Sequence, residues 1–279
     1  MADSVTTATD WDPEQYRRFA AERAQPFHDL LDRLGDGPFD RAVDLGCGPG
    51  ELTALAAERL SIGRIVGLDN SPRMLASAAA HASERVTFEE GDIAAWTSGA
   101  DHDLVLAAAS LQWVPDHRSV LARWVAALAP GGRLAVQVPA NAHVPTHTVA
   151  ARVADREPHR AAFGASGPPP EPVARNVLAP DEYARILHDL GCVDIDVDLH
   201  VYPHVLPTTR HAVEWVKGTT LTRFRTILSA EAYGAFLADY EHELIDEMGD
   251  SEPCFFPFSR ILLVATRPVV ARPAVAVPS

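Results

Sequence analysis

The chain has 279 residues and a formal net charge of −14, with 38 acidic residues against 24 basic ones. Such a surplus excludes a nucleic-acid binder, which needs a basic footprint, but leaves room for a small anionic substrate held by a few gathered arginines. Cys47, Cys192 and Cys254 are scattered without Cys-x-x-Cys spacing, which points to a reducing compartment with neither disulfide nor zinc. No basic-then-apolar leader opens the chain and no apolar run nears ~18 residues, so a cytoplasmic protein without a membrane partner is expected.

In chain order, residues 1–9 are small and polar and read as a disordered tail. Trp11 to Phe19 opens a helix, with Asp12 suited to its cap and Pro13 to its first position. Its continuation from Ala20 to Phe27 leads into a second helix ending at Leu34. Arg41-Ala42-Val43 then closes a buried strand, and Leu52 to Leu60 has the Leu and Ala spacing of a helix. Between them lies Asp44-Leu45-Gly46-Cys47-Gly48-Pro49-Gly50. A glycine turn between strand and helix accepts positive φ and leaves no Cβ between backbone and ligand, so it can carry a cofactor on its amides.

One residue in this loop narrows the cofactor. A dinucleotide fingerprint needs a third glycine at position 51, which is Glu51. A carboxylate at that helix start suits the macrodipole but repels a pyrophosphate, which disfavours a dehydrogenase. A cofactor without phosphates fits better, and S-adenosylmethionine (SAM) offers an ammonium group that Asp44 can face. The next β-type run, Arg64 to Leu68, ends at Asp69, roughly ~20 residues beyond the glycines, where an acidic side chain meets ribose hydroxyls. Asn70-Ser71-Pro72 then caps a helix through Met74 and Leu75. A third run, Val86 to Glu90, leads to Gly91-Asp92-Ile93, where Asp92 is placed to accept from an adenine amino group.

Strand and helix alternate from Arg41 to Pro139, which predicts an α/β fold with a parallel sheet and helices on both faces. The fourth strand, Asp103 to Ala108, opens into Ala109-Ser110-Leu111-Gln112-Trp113. Loops after the carboxyl ends of such strands form the ligand crevice, so this one should face the methyl group of the cofactor. A helix from Ser119 to Leu128 ends at Pro130-Gly131-Gly132, and Arg133 to Val138 is the fifth strand. Beyond it, a helix follows Pro145, and Gly164 to Pro172 reads as a loop because prolines donate to no ladder. Asp181 is placed to cap a helix from Glu182 to Leu190 that Gly191 ends. Val193 to Leu199 alternates at period two, a helical insertion runs from about Thr209 to Met248, and Ile261 to Thr266 is a last strand. The two late strands are expected to form an antiparallel edge, with the insertion as cap. The domain is expected over 10–267, capped by 10–35, 140–180 and 205–256, with 268–279 as a disordered tail.

The acidic-x-Gly-x-Gly-x-Gly loop resembles the motif of Rossmann-like SAM-dependent methyltransferases. More selective is the set Trp11-x-Pro13-x-x-Tyr16-x-x-Phe19-x-x-Glu22-Arg23, Ala109 to His117, Asn141-x-x-x-Pro145-Thr146-His147, Glu214-Trp215-Val216 and Phe258-Ser259-Arg260. Together these resemble the trans-aconitate 2-methyltransferase family from about residue 10 to residue 267. The resemblance implies SAM-dependent esterification of a carboxylate, with the cofactor held by Asp44, Gly46, Cys47, Gly48, Gly50, Asp69, Asn70, Met74, Asp92, Ile93, Ala109 and Ser110. It implies an acid pocket of Arg23, Trp113, His147, Tyr202, His204, Trp215 and Arg260, with Tyr202 and His204 following the sixth strand. Arg175 and Arg223 are weaker candidates. The Pro-rich loop at 168–172 and both tails depart from the pattern, and in Thr219 to Phe224 the arginine is displaced.

Elementary chemistry also favours a carboxylate. With a pKa near ~4 it is ionised at neutral pH and attacks a sulfonium methyl without a general base. No catalytic base is therefore expected, only placement and exclusion of water. Arginine, whose planar fork grips a carboxylate with two hydrogen bonds, supplies the recognition. A hydroxyl substrate would instead need a base, for which His147 or His204 would serve. A different carboxylate, a secondary metabolite, or SAM binding without turnover remain open alternatives at this level. The histidine pairs 143/147 and 200/204 are interrupted by Pro145 and Pro203, so no metal is expected.

Overall fold

Short apolar runs buried on both faces build the central layer, as a parallel sheet requires. The computed structural model describes residues 20–269, with side chains from residue 24 onward. Its strands are β1 (Arg41–Leu45), β2 (Arg64–Asp69), β3 (Val86–Glu90), β4 (His102–Ala108), β5 (Leu128–Pro139), β6 (Val193–Leu206) and β7 (Cys254–Thr266). They form one sheet in the order β3-β2-β1-β4-β5-β7-β6. The first five run parallel, and β7 lies antiparallel between β5 and β6. The expected α/β Rossmann-like architecture with an antiparallel edge is what forms. The tail and helix expected at 1–19, and the tail at 270–279, lie outside the described residues.

Two helices cover one face. α1 (Ala20–Leu34) and α2 (Glu51–Arg59) bury Phe27, Leu30, Leu31, Leu34, Ala56 and Ala57 against Ile65, Leu104, Leu106 and Leu262. Helix α3 (Pro72–Ala78) follows β2, capped by Ser71, which accepts from the Met74 amide. The opposite face is covered by α4 (His117–Ala127), whose Leu121 and Trp124 pack on Val105, Val136 and Leu263. Short helices α5 (Pro145–Ala154), α6 (His159–Ala162) and α7 (Pro172–Asn176) then lead to α8 (Pro180–Asp189). Tyr183, Ile186 and Leu187 of α8 complete that core. A second core joins α5 to α9 (Thr209–Lys217), α10 (Thr222–Arg225) and α11 (Ala230–Met248) around Trp215, Phe224, Phe236, Tyr240, Phe256 and Phe258.

The structure corrects several boundaries. Helix α1 is continuous from Ala20, with Pro26 inside it rather than between two helices. Pro130-Gly131-Gly132 belongs to β5 instead of a separating turn, because Gly131 donates to the Arg267 carbonyl and Arg267 to the Gly132 carbonyl, each at 2.8 Å. Pro172 starts α7, with Glu171 capping it through the Ala174 amide at 2.6 Å. Asp181 is not a cap: Ala179 holds that place, Pro180 is the first helical residue, and Glu182 reaches back to the Ala179 amide. Strands β6 and β7 both extend well past the expected ends, paired without a break from Asp196↔Val264 to Leu206↔Cys254. Pro203 and Pro257 masked this continuity. They lie opposite each other where β7 has passed the end of β5, so each strand there has an open edge on which proline is tolerated. Tyr202 and His204 accordingly sit within β6 and do not follow it.

Candidate active site

The glycine loop brings β1 onto α2 at the carboxyl end of the sheet. Gly46, Gly48 and Gly50 have φ of 86°, 55° and 81°, a left-handed backbone that side chains resist. At Gly46 a Cβ would lie 2.3 Å from the Ser110 Cβ, so glycine is what lets the loops after β1 and β4 touch. The amides, however, do not face a ligand. Those of Gly46 and Cys47 donate to the Leu68 carbonyl at 2.8 and 2.9 Å, that of Gly48 to Asp69 Oδ2 at 2.9 Å, and that of Gly50 to the Cys47 carbonyl. The expectation that this loop carries a cofactor on its amides is therefore corrected: it is tied inward to the end of β2. Its open side is Gly48, where an added Cβ meets nothing within 4 Å.

What faces this crevice is negative charge. Asp44 is 3% exposed and accepts from Thr53 Oγ1 at 2.5 Å. Burial, with the nearby Asp69 carboxylate adding to it, pushes its pKa up to about 6 despite that bond. Asp69 accepts from the Gly48 and Ser71 amides, each at 2.9 Å, and burial raises its pKa too. The Cys47 thiol is pushed far above its ordinary range by burial and these two carboxylates, which makes it inert. One buried and one half-buried carboxylate, with no ion-paired cation among the described residues, suit an ammonium group and a diol, as SAM presents. Met74 is buried, Ile93 half-buried, and Asn70 and Asp92 exposed, with Asp92 Oδ1 capping the Ala94 amide. Ala109, at φ 54°, and Ser110, which donates to the Leu45 carbonyl at 2.5 Å, close the crevice beneath β4.

A second cluster lies beyond β5, on the sheet face that α1 covers. Arg260 pairs across the ladder with Pro139 on one side and His200 on the other. It is 8% exposed, with its guanidinium 4.7 Å from the Phe258 ring. Next to it Tyr202 donates to Asp29 Oδ2 of α1 at 2.7 Å. His147, near the start of α5, has Nε2 2.9 Å from the Thr220 hydroxyl and Nδ1 3.1 Å from that of Thr146. Burial lowers its pKa to about 3, helped by the charges of Arg223 and Arg260. The imidazole is thus neutral, and its ring lies 6.5 Å from that of Phe258, on which Arg260 stacks. Arg223 is buried, lies 4.3 Å over the Phe224 ring, and meets Glu171 Oε1 at 3.4 Å. Burial brings its pKa down to about 10, so it stays charged at neutral pH. Asn141, at the carboxyl end of β5, is fully buried, and neither amide atom has a hydrogen-bond partner among the described residues.

These features match known proteins. A family model described as a methyltransferase domain matches residues 42–132. Three proteins named trans-aconitate 2-methyltransferase are 40, 42 and 41% identical: from Mycobacterium sp. (strain KMS), Streptomyces avermitilis and Deinococcus radiodurans. Their alignments cover 91, 91 and 92% of this chain and 98, 96 and 98% of those proteins. The chain belongs to the trans-aconitate 2-methyltransferase family. It is a SAM-dependent methyltransferase. Among solved structures, the YcgJ protein of Bacillus subtilis aligns with a TM-score of 0.58 at 15% identity, over 87% of this chain and 99% of that one. Phosphoethanolamine N-methyltransferase 2 of Haemonchus contortus aligns with a TM-score of 0.54 at 19% identity, over 86 and 52%. At these identities the two speak for the fold alone.

Within this trans-aconitate 2-methyltransferase family member, the acid-pocket residues expected from sequence do not all meet. Arg260, Tyr202 and His147 come together. Trp215 is 1% exposed and packs on Phe256, Phe258 and His204, with ring centroids 5.1 to 5.7 Å away, so it backs the cluster instead of lining it. Trp113 is half-buried in a turn after β4, and Asn176 of α7 fastens that turn through the Gln112 carbonyl at 2.9 Å. Arg23 lies in α1 one turn before Phe27, and its side chain is outside the described residues. Arg175 is exposed on α7. Arg223, a weaker candidate from sequence, is buried beside Glu171 and Phe224. Asn141 and Glu171 carried no role in the sequence reading, although Asn141 stood in a quoted motif.

The geometry also bears on general-base chemistry. A pKa near 3 leaves His147 neutral and weakly basic, with hydroxyls at both ring nitrogens. Rates at saturating SAM and acid, measured from pH 6 to 8, are expected to show no His147 titration. A limb in that range that disappears in His147→Gln would show instead that the ring moves a proton.

Proposed function

We propose that the chain transfers the methyl group of SAM to a carboxylate of trans-aconitate, releasing a monomethyl ester and S-adenosylhomocysteine. The observation that carries this reading is a buried cluster beyond the carboxyl end of β5: Arg260 stacks on Phe258, the ring of neutral His147 lies 6.5 Å from that of Phe258, and Asn141 is buried with neither amide atom hydrogen-bonded among the described residues. Buried cations suit an anionic ligand, and the names of the relatives supply its identity. Charge on the substrate also explains how an acidic protein selects it. At ~4 Å and an effective dielectric of ~20, each arginine attracts a carboxylate by about 4 kcal/mol before desolvation.

Asp44 and Asp69 would hold the ammonium and ribose of the cofactor, with Gly48 leaving room beside them. When bound, SAM supplies an electrophilic methyl on its sulfonium. Arg260 and Arg223 would fix the acid by its other carboxylates, so that the reacting oxygen rests about 3 Å from the methyl and in line with its bond. Asn141 Nδ2 would donate to the substrate, which relieves a buried amide worth about 1–3 kcal/mol when unpaired. The Trp113 turn, tied down by Asn176, would exclude water. A carboxylate is already ionised, so no side chain takes a proton. Three free buried thiols and the acidic surface support a cytoplasmic setting without nucleic acid.

The test is turnover on a panel of acids. With purified protein and SAM, trans-aconitate is expected to release S-adenosylhomocysteine fastest among trans-aconitate, cis-aconitate, citrate, isocitrate and a malonyl thioester, with mass detection of one added methyl. Faster turnover of another acid would move the substrate while keeping the reaction. Binding of SAM with no ester from any acid would remove the carboxylate reading.

A further inference from the structure

We propose that Glu171 stands in for a substrate carboxylate on Arg223, so that the acid binds by exchanging one carboxylate for another and Glu171 sets how much charge the pocket accepts. The inference rests on the acid-binding reading above. The ion pair is poor for so buried a site: one contact at 3.4 Å between side chains only 6 and 10% exposed, with Arg223 Nε unpartnered among the described residues. A permanent arginine–carboxylate pair would be two-pronged and shorter. Glu171 also has somewhere to remain when displaced, since its other oxygen already caps α7 at the Ala174 amide, 2.6 Å away. Burial raises its pKa even with Arg223 beside it, so the pair does not repay the desolvation of this carboxylate.

The surroundings suit an exchange. A cavity of about 400 Å³ opens outside the pair, lined by Arg152, Pro168, Pro169, Pro170, Glu171 and Arg223. Arg223 is therefore a wall of that cavity, and its charge is felt by the buried His147. The proline run stiffens the segment that carries Glu171, and α7 links it through Asn176 to the turn holding Trp113. An acid entering the cavity meets the half-exposed Arg152 and then the buried Arg223. Displacing Glu171 from Arg223 leaves its other oxygen on the Ala174 amide, so the helix that fastens the Trp113 turn keeps its cap.

The experiment is a charge series. Acetate, succinate and trans-aconitate are titrated calorimetrically into the S-adenosylhomocysteine complex of the wild type, Glu171→Gln, Arg223→Gln and the double variant. Glutamine keeps an oxygen for the Ala174 amide and removes the charge. Glu171→Gln is expected to tighten trans-aconitate about tenfold, the scale of one close charge pair, succinate by less and acetate hardly at all. In the Arg223→Gln background the same change should have no effect, which a mere loss of folding would not produce. Weaker binding of all three acids would overturn the proposal, because Glu171 would then be orienting Arg223. An equal change for all three would overturn it as well. If the acids bind but trans-aconitate is not methylated, the substrate reading fails while the charge series still decides the role of Glu171. If no acid binds to any of the proteins, both fail.

Discussion

Replacing Arg260 with alanine is expected to raise the KM for trans-aconitate by about 150- to 5,000-fold, with a much smaller change in kcat. Removing one partner of a buried charge pair costs about 3–5 kcal/mol, and 1.36 kcal/mol is tenfold. The loss should fall mainly on KM because Arg260 grips parts of the acid that do not react, so ground state and transition state suffer alike. Arg260→Lys should recover little, since an ammonium lacks the two-pronged fork and the flat stacking on Phe258. SAM affinity should be unchanged, because Arg260 sits beyond β5 while the acidic crevice lies at the ends of β1 and β2. Steady-state kinetics in both substrates checks this. An unchanged KM for the acid would remove Arg260 from the pocket.

The second large effect concerns Asp44. Asp44→Asn keeps the shape and the Thr53 contact but removes the charge proposed to face the SAM ammonium, and SAM affinity is expected to fall by about 100-fold or more. Stability should move the other way. With a folded pKa of about 6 against ~3.9 unfolded, the folded apo protein binds more protons between those values, so its stability falls as pH rises from about 4 to 6. The two-unit difference amounts to about 3 kcal/mol. Asp44→Asn should abolish that slope and raise the apo Tm near neutrality. In the wild type a bound cation favours the ionised form, so SAM affinity should weaken up to about tenfold per pH unit below pH 6. Calorimetry and thermal melts across pH 4.5 to 8 test both signs. A pH-independent SAM affinity would place the ammonium elsewhere.

Much of this molecule was legible from sequence because local rules and global fold agree along residues 41–139. The runs ending at Leu45, Asp69 and Ala108 are largely apolar, as buried parallel strands must be, the edge run ending at Glu90 is more polar, and glycine, serine and proline punctuate them. The late strands were harder. Pro203 and Pro257 each argue for a break, and only their pairing across a ladder with open edges makes them harmless. The loop glycines were correctly placed but misread in purpose, because whether an amide points at a ligand or at the Leu68 carbonyl depends on a neighbouring strand. Arg223 was undervalued for a related reason. Its position in α10 is set by the packing of Phe224 into the second core, which no spacing in the sequence reveals. Likewise, nothing local distinguishes Glu171 from any other helix cap.

The place of β7 between β5 and β6 has a consequence in time. Every residue assigned to the cofactor crevice lies between positions 44 and 110, in strands that pair with one another. The proposed acid pocket needs Arg260, and β7 must slot in beside β5 before Arg260 and Phe258 can meet His147. During synthesis on the ribosome, the half that holds the methyl donor is therefore out and able to fold well before the half that holds the acceptor. On that order the proposed acid pocket is completed last, when the sheet is closed from its far side.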